Sequence, residues 1–142
     1  MANRGFMRYG NITIQGNNTN LYSVLSISGK GIAKTIQFYF HGADSTGTFH
    51  QNVQIRIDGI DQFASPTDQS SIFPSIIGGA SSQPASPSST DFTTTRSDPT
   101  NWILQTIWHA NLPYTTSFEI LIANQASTTS HTGVTITGIE EV

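Results

Sequence analysis

Two-residue alternation of apolar and polar side chains, broken at short intervals by turn residues, constrains this chain more than any other feature. Ile36, Phe38 and Phe40 alternate with Thr35, Gln37 and Tyr39, and Val53, Ile55 and Ile57 alternate with Gln54, Arg56 and Asp58. Phe118, Ile120 and Ile122 repeat the pattern, with Leu121 and Ala123 on the opposite face, and Val134 and Ile136 follow. Successive side chains of a strand point to opposite faces of its sheet, so this period marks strands with one face buried. The clusters Gly16–Asn20, Gly29-Lys30-Gly31 and Asp58-Gly59 supply the positive-φ and hydrogen-bonding residues that reverse a chain.

The alternation predicts strands over 11–15, 21–28, 32–41, 49–58, 60–63, 101–109, 117–124 and the stretch from Val134 toward Ile139. Trp102, Leu104 and Trp108 share one face of their strand and Ile103 and Ile107 the other, the mark of a central strand covered on both sides. About eight strands and no helix define an all-β chain, an antiparallel two-sheet β-sandwich or jelly roll. A chain of 142 residues is long enough to bury one such core.

Two segments depart from the pattern. Residues 65–100 hold five of the six prolines, Gly78-Gly79 and a Ser-rich stretch, and read as a long loop inserted in a single domain spanning 11–142. Inside it lies an apolar island, Ile72, Phe73, Ile76 and Ile77. Each such side chain gains roughly 1.5–3 kcal/mol on burial, so the island is expected to contact a neighbouring subunit or the domain edge. Residues 1–10 mix Arg4, Arg8, Phe6, Met7 and Tyr9 with two glycines and no clear period. They read as an N-terminal arm that orders on contact with a partner; a first edge strand of the domain is the other reading.

Charge sharpens the arm reading. The net charge is −3 and only 11% of residues are charged, about half the usual share. A surface coated with Ser, Thr, Asn and Gln suits contacts with other protein copies, since few charges are desolvated there. Residues before Thr35 carry four bases (Arg4, Arg8, Lys30 and Lys34) and no acid, while the rest carry two bases and nine acids. This split predicts a basic N-terminal contact surface. The acidic balance argues against nucleic acid as a partner, and no apolar run approaches the roughly 20 residues that span a bilayer. The absence of cysteine removes disulfides and thiolate chemistry. No apolar leader is visible at the start.

Catalytic constellations are not legible. The four histidines, His41, His50, His109 and His131, lack metal-ligand spacing. Asp58 and Asp61, with Asp44 or Asp68, fall short of the six or more oxygens of a calcium site, and a hairpin turn explains Asp58-Gly59 without a metal. There is no Gly-x-Ser-x-Gly and no marked pair of carboxylates for glycosidase chemistry. No catalytic residue, metal or cofactor is therefore expected. Trp102, Trp108, Tyr22, Tyr39 and Tyr114 fit a core or a sugar-stacking platform.

The order of motifs resembles small β-sandwich modules of tailed-bacteriophage virion proteins. Those carrying the resemblance are Ser26-Ile-Ser-Gly-Lys-Gly31, Val53-Gln-Ile-Arg-Ile-Asp-Gly59 and Ser117-Phe-Glu-Ile-Leu-Ile-Ala-Asn124. Modules of this kind occur in capsid decoration (cement) proteins, head fibres and tail or baseplate adhesins, and they often trimerise. The resemblance implies a non-enzymatic virion protein on the capsid surface, a trimer bound to the major capsid protein that stabilises the shell. In that reading Arg4, Phe6, Arg8, Tyr9 and Lys30 dock on the capsid, and Ile72, Phe73, Ile76 and Ile77 join the subunits. A carbohydrate- or receptor-binding module of a phage fibre, meeting a host glycan, is the second reading.

Overall fold

A computed structural model describes residues 2–42, 51–62, 92–98, 103–124 and 127–142. Nine strands and no helix are found among them: β1 (Asn3–Ile14), β2 (Asn18–Ser28), β3 (Gly31–His41), β4 (Gln51–Ile57), β5 (Ile60–Gln62), β6 (Phe92–Asp98), β7 (Ile103–Tyr114), β8 (Ser117–Asn124) and β9 (Ser130–Glu141). They form a five-stranded sheet of order β1-β9-β3-β7-β6 facing a four-stranded sheet of order β2-β8-β4-β5, and every pairing is antiparallel. Strands 1-9-3-7 against 2-8-4-5 make a jelly roll, with β6 added at one edge. The all-β sandwich expected from the alternation is the observed fold.

The core lies between the sheets and is drawn from the alternating positions. Ile36, Phe38 and Phe40 of β3, Val53 and Ile55 of β4, Leu104 and Trp108 of β7, Phe118, Ile120 and Ile122 of β8, and Val134 and Ile136 of β9 are all buried there. Phe38 and Phe40 stack with ring centroids 5.8 Å apart. Gln54, Leu121 and Ala123, on the outer face of β4 and β8 where the alternation places them, are buried as well.

Two further expectations change. The segment 1–10 is not a separate arm. Asn3 to Gly10 form most of β1, paired residue for residue with β9 from Asn3↔Glu141 to Ile14↔Ser130. Gly10 admits the Val24 carbonyl of β2, which a Cβ at that position would strike, so the strand is fitted to the second sheet. The proposed excursion 65–100 also contains a strand, β6, paired with β7. Thr93 and Thr94 favour strand conformation without giving an apolar alternation. The rest of that segment before Phe92, including Ile72, Phe73, Ile76 and Ile77, lies outside the described residues.

Polar side chains fasten the connections at both ends of the sandwich. Asp58 and Gly59 turn β4 into β5 with φ of 52° and 80°, the positive pair of a tight hairpin. The Asp58 carboxylate then accepts hydrogen bonds from the backbone N–H of Thr115 (2.9 Å), Thr116 (2.7 Å) and Ser117 (3.1 Å), and from the hydroxyls of Thr115 and Thr116. The N–H of Asp58 donates to the Ser117 carbonyl, and that of Gly29 to the Thr116 carbonyl. Three turns, β2–β3, β4–β5 and β7–β8, are thereby tied into one end. At the other end, the buried Asn124 donates its amide to the carbonyls of Ile14, Gln15 and Thr128.

Phe38→Ala is expected to cost about 3–5 kcal/mol, the usual range for emptying a buried aromatic site. The adjacent, outward Gln37→Ala should stay within about 0.5 kcal/mol. Urea unfolding of the two variants checks the alternation directly.

Hydrogen bonds from the Thr116 and Ser117 backbone hold the Asp58 carboxyl well below its usual range. A carboxyl with a depressed folded pKa adds stability that is complete above its unfolded value, about 3.9, and is lost as pH falls toward the folded one. The melting temperature should therefore decline as pH drops below about 4. Asp58→Asn, which keeps a residue tolerant of positive φ, should melt lower at neutral pH and change less on acidification. Thermal scans from pH 7 to pH 2 measure both.

Candidate functional site

The end of the sandwich fastened by Asp58 also gathers the residues expected to dock on a partner. β1 begins there, β9 ends there, and the turns after β2 and β7 close over it. Side chains 4, 6 and 8 of β1 face the same way as Glu140 of β9, since Arg4 pairs with Glu140 and Phe6 with Gly138 in the ladder. Arg4 Nε donates to Glu140 Oε1 at 2.9 Å, and Arg8 donates through one terminal nitrogen to both carboxylate oxygens at 3.0 and 3.2 Å. Arg8 also lies 5.3 Å from the centroid of the Phe6 ring. Glu140 is buried, and the Arg4 hydrogen bond, followed by that from Arg8, holds its carboxyl below the ordinary range despite burial.

This geometry divides the residues expected to dock. Phe6 belongs to the core and has no ring left to fill a groove elsewhere. Arg8 and Arg4 neutralise Glu140, and Lys30 pairs with Glu141 at 3.3 Å. Three of the four N-terminal bases thus meet acids of the same chain. Arg4 and Lys30 nonetheless keep 62% and 55% of their side-chain surface in solvent. Tyr9 is 63% exposed, but on the outer face of the five-stranded sheet, away from Arg4 and Arg8.

Beside the ion pairs lies a depression of about 260 Å³ bounded by Lys30, Gly31, Ile32, Pro113, Ile139 and Glu141. Tyr114 lines it too. The Tyr114 ring packs on Phe118, and its hydroxyl is buried with no hydrogen-bond partner among the described residues. Burial first, and the Glu140 charge second, raise the pKa of that hydroxyl. Ile32 and Ile60 are exposed at this same end.

The remaining candidates are resolved by position. Trp108 and Tyr114 are buried in the core, so they form no sugar platform; Trp102 lies outside the described residues, as do His50, Asp44 and Asp68. His41 and His131 sit opposite one another in the β3–β9 ladder, with ring centroids 5.7 Å apart, a convergence invisible in their spacing. Asp58 is committed to the β7–β8 turn and Asp61 pairs with Arg56 at 2.7 Å. Arg56 also reaches Glu119, which accepts from Ser23. Among the described residues no three His, Asp or Glu side chains are grouped to hold a metal ion, and no helix is long and apolar enough to cross a membrane.

Sequence reasoning missed Glu140 as a site residue. Its partners stand 136 and 132 positions away, and the signal available was the acid-free N-terminus set against a C-terminal Glu140-Glu141 pair. No family model and no curated protein matches the sequence. Among solved structures the fold is similar to that of a chain from the "Cyanophage Pam1 capsid asymmetric unit", with a TM-score of 0.51 and 15% identity, covering 98% of this chain and 86% of that one.

Proposed function

We propose that the protein is a bacteriophage virion structural protein, a capsid decoration protein that binds the assembled shell as a trimer and stabilises it. The observation that carries this reading is the likeness in fold to a chain of the cyanophage Pam1 capsid asymmetric unit over 98% of this chain. The motifs that resemble phage virion modules support it from the sequence side. Their polar members, Asp58 and Asn124, serve as clamps of the jelly roll, which is a structural use and not a catalytic one; the protein is accordingly no enzyme in this reading.

The shell-facing surface is the fastened end. Ile32 and Ile60 are exposed there, 39% and 63% respectively, beside a depression that takes an apolar side chain of the major capsid protein. Arg4 and Lys30 form a charged rim. Exposed ion pairs contribute about 0–1 kcal/mol each, so they set the encounter rate more than the affinity. A protein that binds only the assembled shell stabilises it by mass action. In the trimer, Ile72, Phe73, Ile76 and Ile77 supply the contact between subunits.

Sedimentation of the purified protein, alone and with undecorated shells, tests the reading. A species three times the 15.4 kDa chain and saturable co-sedimentation are expected, with Ile32→Asp/Ile60→Asp abolishing binding while the far-ultraviolet spectrum stays all-β. A monomer at tens of micromolar overturns the trimer. Absence of the protein from sedimented shells overturns decoration.

A further inference from the structure

Beside the Asn124 clamp, one row of the five-stranded sheet carries Thr13 of β1, His131 of β9 and His41 of β3 on its outer face. Thr13 pairs with His131, and His131 with His41, in the two ladders. Residues opposed in this way have Cβ atoms about 4.5–5.5 Å apart. The two imidazole rings keep that proximity, with centroids 5.7 Å apart and planes inclined by 28°. Thr13 Oγ lies 2.9 Å from His131 Nδ1.

The backbone beneath the pair is fixed from both sides. Asn124 donates to the carbonyl of Ile14, next to Thr13, and to that of Thr128, shortly before His131. Gly42 follows His41 with φ of 128°, and a Cβ there would come within 2.7 Å of the Thr129 carbonyl oxygen. Glycine thus lets the end of β3 close on the segment that opens β9. Side chains presented from backbone held in this way lose less freedom when a ligand joins them.

We propose that His41 and His131 chelate a divalent transition-metal ion, with zinc as the reference case and Thr13 orienting the His131 ring. Zinc takes an imidazole nitrogen at about 2.0–2.1 Å. Two imidazoles on one tetrahedral ion therefore have ring centres roughly 5 Å apart, close to the separation already present. With Nδ1 of His131 engaged by Thr13, Nε2 is the nitrogen that meets the metal. In the metal-bound form Nδ1 keeps its proton and donates it to Thr13 Oγ, while Nε2 gives its lone pair. Such a hydrogen bond on the second ring nitrogen fixes the tautomer and rotation of a metal-bound histidine. Two protein ligands are fewer than the three or four of dedicated zinc sites, so binding is weaker than theirs and water completes the shell. Imidazole suits zinc, nickel and copper, whereas magnesium and calcium prefer oxygen. The chain has no cysteine to compete for the ion. Once bound, the ion joins the end of β3 to the start of β9. This end of the sandwich is opposite the one assigned to shell binding, so the inference does not rest on that reading.

Nitrogen-15 NMR titration of the untagged protein with zinc chloride, read at backbone amides and imidazole nitrogens, tests the site. Saturable shifts centred on His41 and His131 are expected, and none of comparable size from magnesium chloride. The melting temperature should rise with zinc, since a ligand of the folded state stabilises it. His41→Ala and His131→Ala should each weaken binding by roughly tenfold or more, and Thr13→Val by about tenfold, the loss that removal of an outer partner brings. Thr13→Ser should retain binding. His109→Ala, at a position opposite Thr35 and well along β3 from His41, should bind as the parent protein does. Amide spectra of the zinc-free variants report folding, and glutamine replaces alanine wherever a variant unfolds. No saturable shift at His41 and His131, equal shifts with magnesium, or unchanged affinity in His41→Ala and His131→Ala overturns the inference. Shifts confined to His109 also overturn it and mark binding by a lone surface histidine.

Discussion

The Asp58 carboxylate is the interaction on which the arrangement of this jelly roll most depends. A chain that alternates between two sheets must reverse at the ends, and each reversal leaves backbone N–H groups without ladder partners. A hydrogen bond to an ionised acceptor is shorter and stronger than one between neutral groups, so a carboxylate can hold such N–H groups in one geometry even near solvent. Asp58 answers three of them at once, at Thr115, Thr116 and Ser117, using a residue that already makes the β4–β5 hairpin. Asn124 does the equivalent at the opposite end, through three carbonyls. Asp58 accepts in its bonds to the turn and Asn124 donates in these three, so aspartate at one end and an amide at the other follow from which backbone groups the turns present.

Those two positions show what the short motifs around them do in this fold. Ile-Asp-Gly at 57–59 looks like a generic hairpin signal, and the terminal Asn124 looks like a strand end. Neither spacing shows that the side chain fastens a crossover far away in sequence. The strands themselves were legible because β3, β4 and β8 put large apolar groups on the core side at every second position. Phe38, Ile55 and Ile120 are fully buried where the alternation places them.

The first part of β1, Asn3 to Gly10, gave no clear period for a definite physical reason. Its inward positions near the start hold Arg4 and Arg8 around Phe6, and its outward ones hold Met7 and Tyr9, 68% and 63% exposed. The hydrophobic pattern is inverted. The buried charge at the mouth of the core is Glu140, acceptable there because two partly exposed arginines pair and hydrogen-bond with it. Periodicity reports burial of apolar groups alone, so a strand held by an ion pair from the far end of the chain escapes it. The apparent basic arm was the same ion pair seen from one side. β6 escaped for the opposite reason: Thr93 and Thr94 suit a strand but give no contrast between its faces.

The same pairing decides where contact with other molecules is inexpensive. With Arg4, Arg8 and Lys30 matched to Glu140 and Glu141, and Arg56 matched to Asp61 and Glu119, these charged groups of the described residues are held in local pairs at one end and on one face. On the outer face of the five-stranded sheet, Tyr9, Gln37, Tyr39 and Thr135 surround Gly133. Covering polar side chains such as these sacrifices only hydrogen bonds that a partner with hydroxyl or amide groups can restore, whereas covering the Arg56 cluster would strip water from three ionised groups. A low total charge by itself does not create a binding surface. Its segregation into pairs does, because it separates a surface suited to solvent from one that gains when water leaves.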